Sequence, residues 1–496
     1  MSPSVTLHFP PGSNFEPITL ETGLFIDNQF IDATGQATLE TVDPSSGKSL
    51  GRVSAAQKVD IDKAVEAAAK AFKDVWGLKT PGHERGHLLI KLAEAIESNA
   101  DAIAAIEALD NGKAYSFARN FDVPEAANSL RYYAGWADKN HGQVIEVNDA
   151  KMAFTRHEPI GVVGQIIPCL LMFTWKIAPA LATGNTVVIK PSELTPLSAL
   201  FMARLIAKIF PPGVINIVVG EGSIAGAAIA SHMKIGAVAF TGSTMIGKSI
   251  MKAAADSNLK RVTLELGGKS PTVIFEDADL PQAVKWSGFG VFFNQGQTCA
   301  SGSRVYVHEK IYDRYIADLE TYAKNLKVGT PFEHDTFQGP QISQKRCDSI
   351  MDYIKSGKED GAKCLVGGKR LREEGFFIEP TIFTNVKPEM KIVREEIFGP
   401  VVVVTKFKDE EELVKMANDS IYGLAAAVFT KDINRAFKVA NQIHAGMIWV
   451  NCHSKVHSQV AFGGTKQSGI GREMGEYALS NYTCVKAVHV NLTERI

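Results

Sequence analysis

One stretch has the clearest chemical potential: Phe293-Asn294-Gln295-Gly296-Gln297-Thr298-Cys299-Ala300-Ser301-Gly302-Ser303-Arg304. Its thiol stands among small, polar and glycine residues, and Ala300, Ser301 and Gly302 put nothing bulky after it. An inert cysteine behaves as a small hydrophobe buried among Leu, Ile and Val. A nucleophilic one needs access, backbone amides close by, and a base or positive field that favours thiolate. Cys299 has surroundings that suit the second kind, but this stretch alone leaves a structural cysteine the readier reading, and the case for a nucleophile has to come from elsewhere in the chain.

Two glycine-rich segments suit phosphate. Gly242-Ser243-Thr244-Met245-Ile246-Gly247-Lys248-Ser249 matches G-x-x-x-x-G-K-S between a strand and a helix, the pattern of a nucleotide-hydrolysing P-loop. Against a P-loop, three apolar strands precede this one, and no later apolar strand ends in an obvious Asp for magnesium. A better account has Gly242 and Ser243 presenting backbone amides to a pyrophosphate at a helix N-terminus; a plain strand–turn–helix connection is the bland one. Gly220-Glu221-Gly222-Ser223-Ile224-Ala225-Gly226 has similar glycine economy but misses the dinucleotide fingerprint by one residue.

The elements that must position these groups are α/β in kind. A hairpin is expected through Phe25 to Ile31, and helices over Val59–Trp76, Glu84–Leu109 and Val123–Lys139, with Gln143–Thr155 extended. From Gly161, short Val/Ile runs alternate with helical stretches. The runs are Val162–Ile167, Thr186–Ile189, Ile215–Val219 and Gly236–Phe240. Runs without alternation are strands covered on both faces, hence a parallel sheet of nucleotide-binding type. After Gly267-Gly268, a natural hinge, a second α/β unit follows, with strands at Thr272–Phe275, Val305–His308, Val401–Phe407, Ala425–Phe429 and Met447–Asn451.

At 496 residues the chain is too long for one core. Its composition, 45% hydrophobic and 22% charged, is that of a soluble globular protein. A formal net charge of −1 offers no electrostatic reason for a nucleic-acid or membrane partner. No apolar run reaches the roughly 18 residues of a membrane span. Met1–Leu20 carries no Lys or Arg and fits neither a secretory signal nor a transit peptide. Cys169, Cys299, Cys347, Cys364, Cys452 and Cys484 show no paired spacing, which suits a reducing, cytoplasmic setting and no structural metal.

Taken together, the segments Lys190-Pro191-Ser192-Glu193, Phe240-Thr241-Gly242-Ser243, Glu265-Leu266-Gly267-Gly268-Lys269-Ser270-Pro271, Gly296-Gln297-Thr298-Cys299, Glu396-Ile397-Phe398-Gly399-Pro400 and Phe462-Gly463-Gly464 make the chain resemble the NAD(P)-dependent aldehyde dehydrogenases. The likeness runs from about Gly23 to Val488 and is closest to the tetrameric class acting on simple aldehydes. It implies two Rossmann-like parallel-sheet domains and a small β oligomerisation arm. The NAD-binding domain would take residues 1–142 and 158–267, the catalytic domain 268–478, and the oligomerisation segments 143–157 and 479–496, the last adding a strand across a subunit contact in a homotetramer.

The resemblance also implies roles. Cys299 would attack the aldehyde to give a thiohemiacetal, and Glu265 would be the general base. Flanking Leu264 and Leu266 would raise the pKa of that carboxylate toward working pH, the bland alternative being a solvated strand-end acid. Lys190 and Glu193 would meet the adenosine ribose, Ser243 the pyrophosphate, Glu396 the nicotinamide ribose and Phe398 the ring. Ile166, Gly222 and Leu266 would complete the cofactor wall. Glu193 would accept ribose hydroxyls and repel a 2′-phosphate, favouring NAD over NADP. Lys190 and Lys176 could otherwise be surface lysines.

Two places depart from the family pattern. After Ile167 the family carries Pro-Trp-Asn-Phe/Tyr-Pro, whereas this chain reads Pro168-Cys169-Leu170-Leu171-Met172, three residues short. The Asn lost there normally helps the Cys amide hold the oxyanion, and Cys169 is a weak donor. The activity is therefore expected to be impaired, or the chain to be a NAD-binding homologue with a structural or regulatory role. Relatives specialised for small aldehydes carry a large aromatic at the place of Val456. Here the loop bears Lys455 with His453 and His457, which suggests a bulkier or partly acidic aldehyde, or else a merely solvated loop.

Overall fold

The computed structural model describes residues 3–495, so the outermost limits expected at 1, 2 and 496 lie outside the described residues. A tight hairpin joins β1 (Leu24–Ile26) to β2 (Gln29–Ile31) through Asp27 and Asn28, at φ 51° and 60°. Two successive positive φ values make a turn whose twist matches paired strands, and Asp and Asn tolerate that region. Helices α1 (Lys58–Asp74), α2 (Gly82–Ser98), α3 (Ala100–Asn111) and α4 (Val123–Ala134) follow. The stretch expected as one helix from Glu84 to Leu109 is two. Asn99 leaves helical geometry and its side-chain amide donates to the Ala95 carbonyl at 2.8 Å, competing with the helical ladder.

The antiparallel pair β3 (Val144–Asn148) and β4 (Lys151–Pro159) precedes the first parallel unit. That unit runs β5 (Val162–Ile167), α5 (Leu170–Ala182), β6 (Thr186–Pro191), α6 (Leu197–Ile206), β7 (Ile215–Ile217), β8 (Ala237–Thr241), α7 (Thr244–Ser257) and β9 (Arg261–Glu265). The second unit runs β10 (Pro271–Ile274), α8 (Leu280–Phe292), β11 (Arg304–His308), β12 (Lys363–Val366), β13 (Thr381–Thr384), β14 (Val401–Phe407), β15 (Ala425–Phe429) and β16 (Met447–Val450). Two late strands, β17 (Gly469–Ile470) and β18 (Thr483–Asn491), return to earlier parts of the chain.

The first sheet has eight strands in the order β17-β9-β8-β5-β6-β7-β1-β2, with β5 to β9 parallel. Every residue of β5 and β6 is buried, as unbroken Val/Ile runs require. β5 is central, with β6 on one side and β8 on the other, so connections diverge there and leave a crevice at the carboxyl ends of the strands. The second sheet has seven strands in the order β12-β13-β14-β11-β10-β15-β16, parallel except at β12. The α/β architecture with two parallel sheets is thus the observed one.

The third sheet, β18-β4-β3, is antiparallel, and β18 pairs with β4 from Thr483 opposite Pro159 to Asn491 opposite Lys151. The strand expected to cross a subunit contact pairs with β4 of its own chain over all nine residues.

Candidate active site

The cysteine turn is built from unusual backbone. Beyond α8, Asn294, Gln295 and Gly296 take φ values of 52°, 58° and 70°. Such conformations persist only where surroundings hold them. Asn294 Nδ2 donates to the Gln297 carbonyl at 2.9 Å, and Ile342 N donates to Gln297 Oε1 at 3.0 Å. A side chain at Gly296 would run into the Gly399 carbonyl, and one at Gly268 into the carbonyl of Cys299. The turn presents Cys299, half-buried, to an apolar cluster of Leu171, Trp175, Ala300, Leu424, Phe462 and Met474. Burial first, then the charges of Glu265 and Glu396, push the Cys299 thiol well above its ordinary range, while the Ala300 amide acts the other way. The resting sulfur is protonated and needs a base.

Glu265 supplies one. It closes β9, is 2% exposed, and neither carboxylate oxygen has a partner among the described residues. The solvated strand-end alternative is thereby excluded. Burial, followed by the neighbouring charge of Glu473, holds its pKa well above the carboxylate range against Lys176 and Arg472. Gly463, at φ 152°, leaves the room: a Cβ there would sit 2.7 Å from Glu265 Oε1.

Lys176, open from sequence to a surface role, is fully buried, ion-paired with Glu473 and hydrogen-bonded to Thr241 Oγ1 at 2.8 Å. A pair 297 residues apart leaves no local trace, and the only hint was a lysine alone in the apolar run Leu170–Ala182.

Most of the expected cofactor residues gather at the carboxyl ends of the first sheet. Glu193 Oε2 receives the Lys190 ammonium at 2.8 Å, and its Oε1 accepts Gly222 N at 3.3 Å. Burial raises the Glu193 pKa but Lys190 outweighs it, so the carboxyl stays below its usual range and ionised. A Cβ on Gly226 would touch both Ile166 and Lys190, which places these two side by side. Leu266 packs under α7, where a Cβ on Gly247 would lie 2.6 Å from it. Glu396 stands over the Gly267-Gly268 link and accepts the Gly268 amide at 3.1 Å. Burial lifts the Glu396 carboxyl to about 7, against the Gly268 amide and Lys269. Phe398, at φ 55°, lies with its ring 5.5 Å from the Arg346 guanidinium.

Gly242 and Ser243 do stand at a helix start. Ser243 caps α7, its hydroxyl accepting Ile246 N at 3.4 Å. The Gly242 amide, expected to face a phosphate, donates instead to the Glu265 carbonyl at 3.0 Å and joins β8 to β9. The P-loop alternative fails at its lysine, because Lys248 Nζ turns to Gln467 Oε1 at 2.8 Å.

The shortened connection is two residues long: β5 ends at Ile167, and α5 begins at Leu170 after Pro168 and the N-cap Cys169. No side-chain amide occupies it. Cys169 packs on the Cys299 cluster, its thiol raised to about 11 by burial and then by the Glu107 charge. It stays protonated and is a weak donor. In the loop after β16, Val456 packs on the same cluster. His453 is buried against Trp449 with ring centroids 4.9 Å apart, and burial lowers its pKa to about 4, so it is neutral and structural. His457 and Lys455 are exposed.

Residues 30–488 match the model of the Aldehyde dehydrogenase family. The chain is 57% identical over 478 residues to an aldehyde dehydrogenase of Agaricus bisporus, covering 96% of each chain. It is 52% identical to retinal dehydrogenase 2 of Rattus norvegicus over 96% of this chain and 92% of that one. Among solved structures it resembles the NAD+ complex of an aldehyde dehydrogenase from Bacillus cereus, with a TM-score of 0.94 and 47% identity over 98% of this chain and 100% of that one.

Proposed function

Since the chain belongs to the aldehyde dehydrogenase family, we propose that it oxidises an aldehyde to a carboxylic acid with NAD, using Cys299 as nucleophile and Glu265 as base. The observation that carries this is a buried carboxylate with both oxygens free, close enough to the only thiol of the Gly296–Cys299 turn to perturb its ionisation. Glu265 takes the thiol proton as Cys299 sulfur bonds to the carbonyl carbon, and the carbonyl oxygen becomes an alkoxide held by the Cys299 amide. NAD, when bound, supplies the hydride acceptor. Glu265 gives that first proton up to solvent, and with the hydride gone from the carbon a thioester is left on Cys299. The free carboxylate then removes a proton from water, whose oxygen attacks the thioester carbon. The C–S bond breaks and the acid leaves. Lys176 and Glu473 set the field in which Glu265 can gain and lose that proton.

The residues present fit the cofactor. Glu193 is ionised, held on two sides, and keeps 39% of its side chain open, which suits the two hydroxyls of an adenosine ribose and opposes a 2′-phosphate. Lys190, Ile166, Gly222, Leu266 and the capping Ser243 would wall the same crevice, with Glu396 and Phe398 nearer Cys299. The exposed Val144, Ile145, Val147 and Val485 on the β18-β4-β3 sheet support a homotetramer built through that arm. The domain limits are proposed as given above, with the exception that β17, inside the 268–478 range, pairs with β9 of the first sheet. Among the described residues, no helix is long and apolar enough to cross a membrane; the scattered cysteines support a cytoplasmic setting.

A second reading, NAD binding without turnover, draws on the two-residue connection after Ile167, which carries no amide for the oxyanion. One experiment separates them: NADH release over a panel of aldehydes, with Cys299→Ala as control. Release abolished about 10³-fold in a folded Cys299→Ala protein supports the enzyme; NAD binding with no release from the unaltered chain selects the second reading. Release undiminished in Cys299→Ala overturns the nucleophile.

A further inference from the structure

A row of half-exposed aromatic rings leads away from the cysteine cluster. Phe121 packs on that cluster and lies 6.0 Å, centroid to centroid, from Phe293. Phe293 stacks on Phe289 at 4.9 Å, and Phe289 meets Trp286 at 6.2 Å. Trp286 and Phe289 lie on α8 and Phe293 just beyond its end, at spacings of three and four, so they share one face, and all three are half-exposed rather than sealed in the core. Aromatic surface left open in this arrangement beside a nucleophile is the lining expected of a site for an apolar body.

The row ends on a cation. Lys455 Nζ sits 5.3 Å from the Trp286 ring centroid. Its backbone is clamped to the site, because Trp449 Nε1 donates to the Lys455 carbonyl at 2.8 Å and the next residue, Val456, packs on the cysteine cluster. Among the described residues no carboxylate pairs with the Lys455 ammonium, whereas Lys176, Lys190 and Lys113 all have acidic partners. A lysine so held has a free charge aimed along an aromatic wall.

We propose that Lys455 is a specificity residue that selects aldehydes with an aromatic body and an anionic group at the end remote from the carbonyl. The inference rests on the dehydrogenase reading above and names its substrate class. The ring row takes the apolar body, and the ammonium takes the carboxylate or equivalent anion as a charge-assisted hydrogen bond. A small neutral aldehyde reaches neither.

The test compares 4-formylbenzoate with its uncharged methyl ester. In the unaltered holoenzyme with NAD, kcat/KM favours the anion by about fivefold or more, a difference expressed in KM and eroded by salt. In Lys455→Gln the preference disappears, and in Lys455→Glu it reverses toward the ester. Taking the ratio of two substrates on one sample cancels any loss of folded protein. The same anion-to-ester ratio in unaltered and Lys455→Gln protein overturns the proposal. If neither these two nor any aldehyde of the panel above is turned over, the dehydrogenase reading fails by itself. Binding then decides the Lys455 question: tryptophan fluorescence titrations of Cys299→Ala with NAD, with and without Lys455→Gln, show a weaker Kd for the anion alone in the double variant, or else equal Kd values that refute the role.

Discussion

Burial keeps both Glu265 and Cys299 protonated at rest, with the charge of Glu473 adding to it at the carboxyl and the charge of Glu265 at the thiol. The sign for activity follows. A raised carboxyl pKa means that Glu265 keeps its proton to higher pH, so base catalysis is absent below that pKa and appears as pH rises through it. The acid limb of kcat/KM for an aldehyde should therefore fall well above the ordinary 4.5 of a glutamate. Glu265→Gln should remove that limb and slow turnover by about 10²–10⁴-fold. An acid limb left at the ordinary position, or unmoved in the variant, would contradict the assignment. The family resemblance pointed to Glu265, and its two leucine neighbours suited a raised pKa, but neither pointed to the pairing of Lys176 with Glu473, which depends on the packing of α5 against the segment after β17.

The strand-to-helix turn from β5 to α5 is only two residues long, Pro168 and Cys169. Pro168 has a role of its own, its carbonyl accepting the Thr195 hydroxyl at 2.7 Å, so the turn is held from outside and does not swing freely. Loss of one oxyanion donor costs roughly 10²–10³ in rate, about 2.7–4 kcal/mol. Inserting Trp-Asn-Phe after Pro168 should accordingly raise kcat for an aldehyde by at least about tenfold. An unchanged kcat in a folded variant would show that the Cys299 amide suffices. The shortening was legible because it breaks a dense local motif. The use of the Gly242 amide was not: its partner, the Glu265 carbonyl, lies on a neighbouring strand.

Across the assembled chain, the β18-β4-β3 sheet leaves much of its surface uncovered, with every residue of β3 exposed. Val144 is 76% and Val485 60% exposed, on a sheet whose strands satisfy one another within one chain but leave apolar side chains in water. If the proposed homotetramer is built through this sheet, Val144→Glu combined with Val485→Glu should give smaller species than the unaltered chain in light scattering, with circular dichroism unchanged. A tetramer that survives both substitutions would place the assembly surface elsewhere.

The two-sheet α/β plan was legible in the amino-acid sequence, because unbroken Val/Ile runs alternate with helical stretches, and the proposed nucleophile, base and ribose-binding acid were marked by short motifs that the family resemblance picks out. Only the tertiary structure decided the charge partners of Glu265, the self-pairing of β18 and the meeting of Lys455 with Trp286. Those depend on which surfaces come together when two sheets close on one crevice, and contacts between segments hundreds of residues apart leave no periodic signal in either.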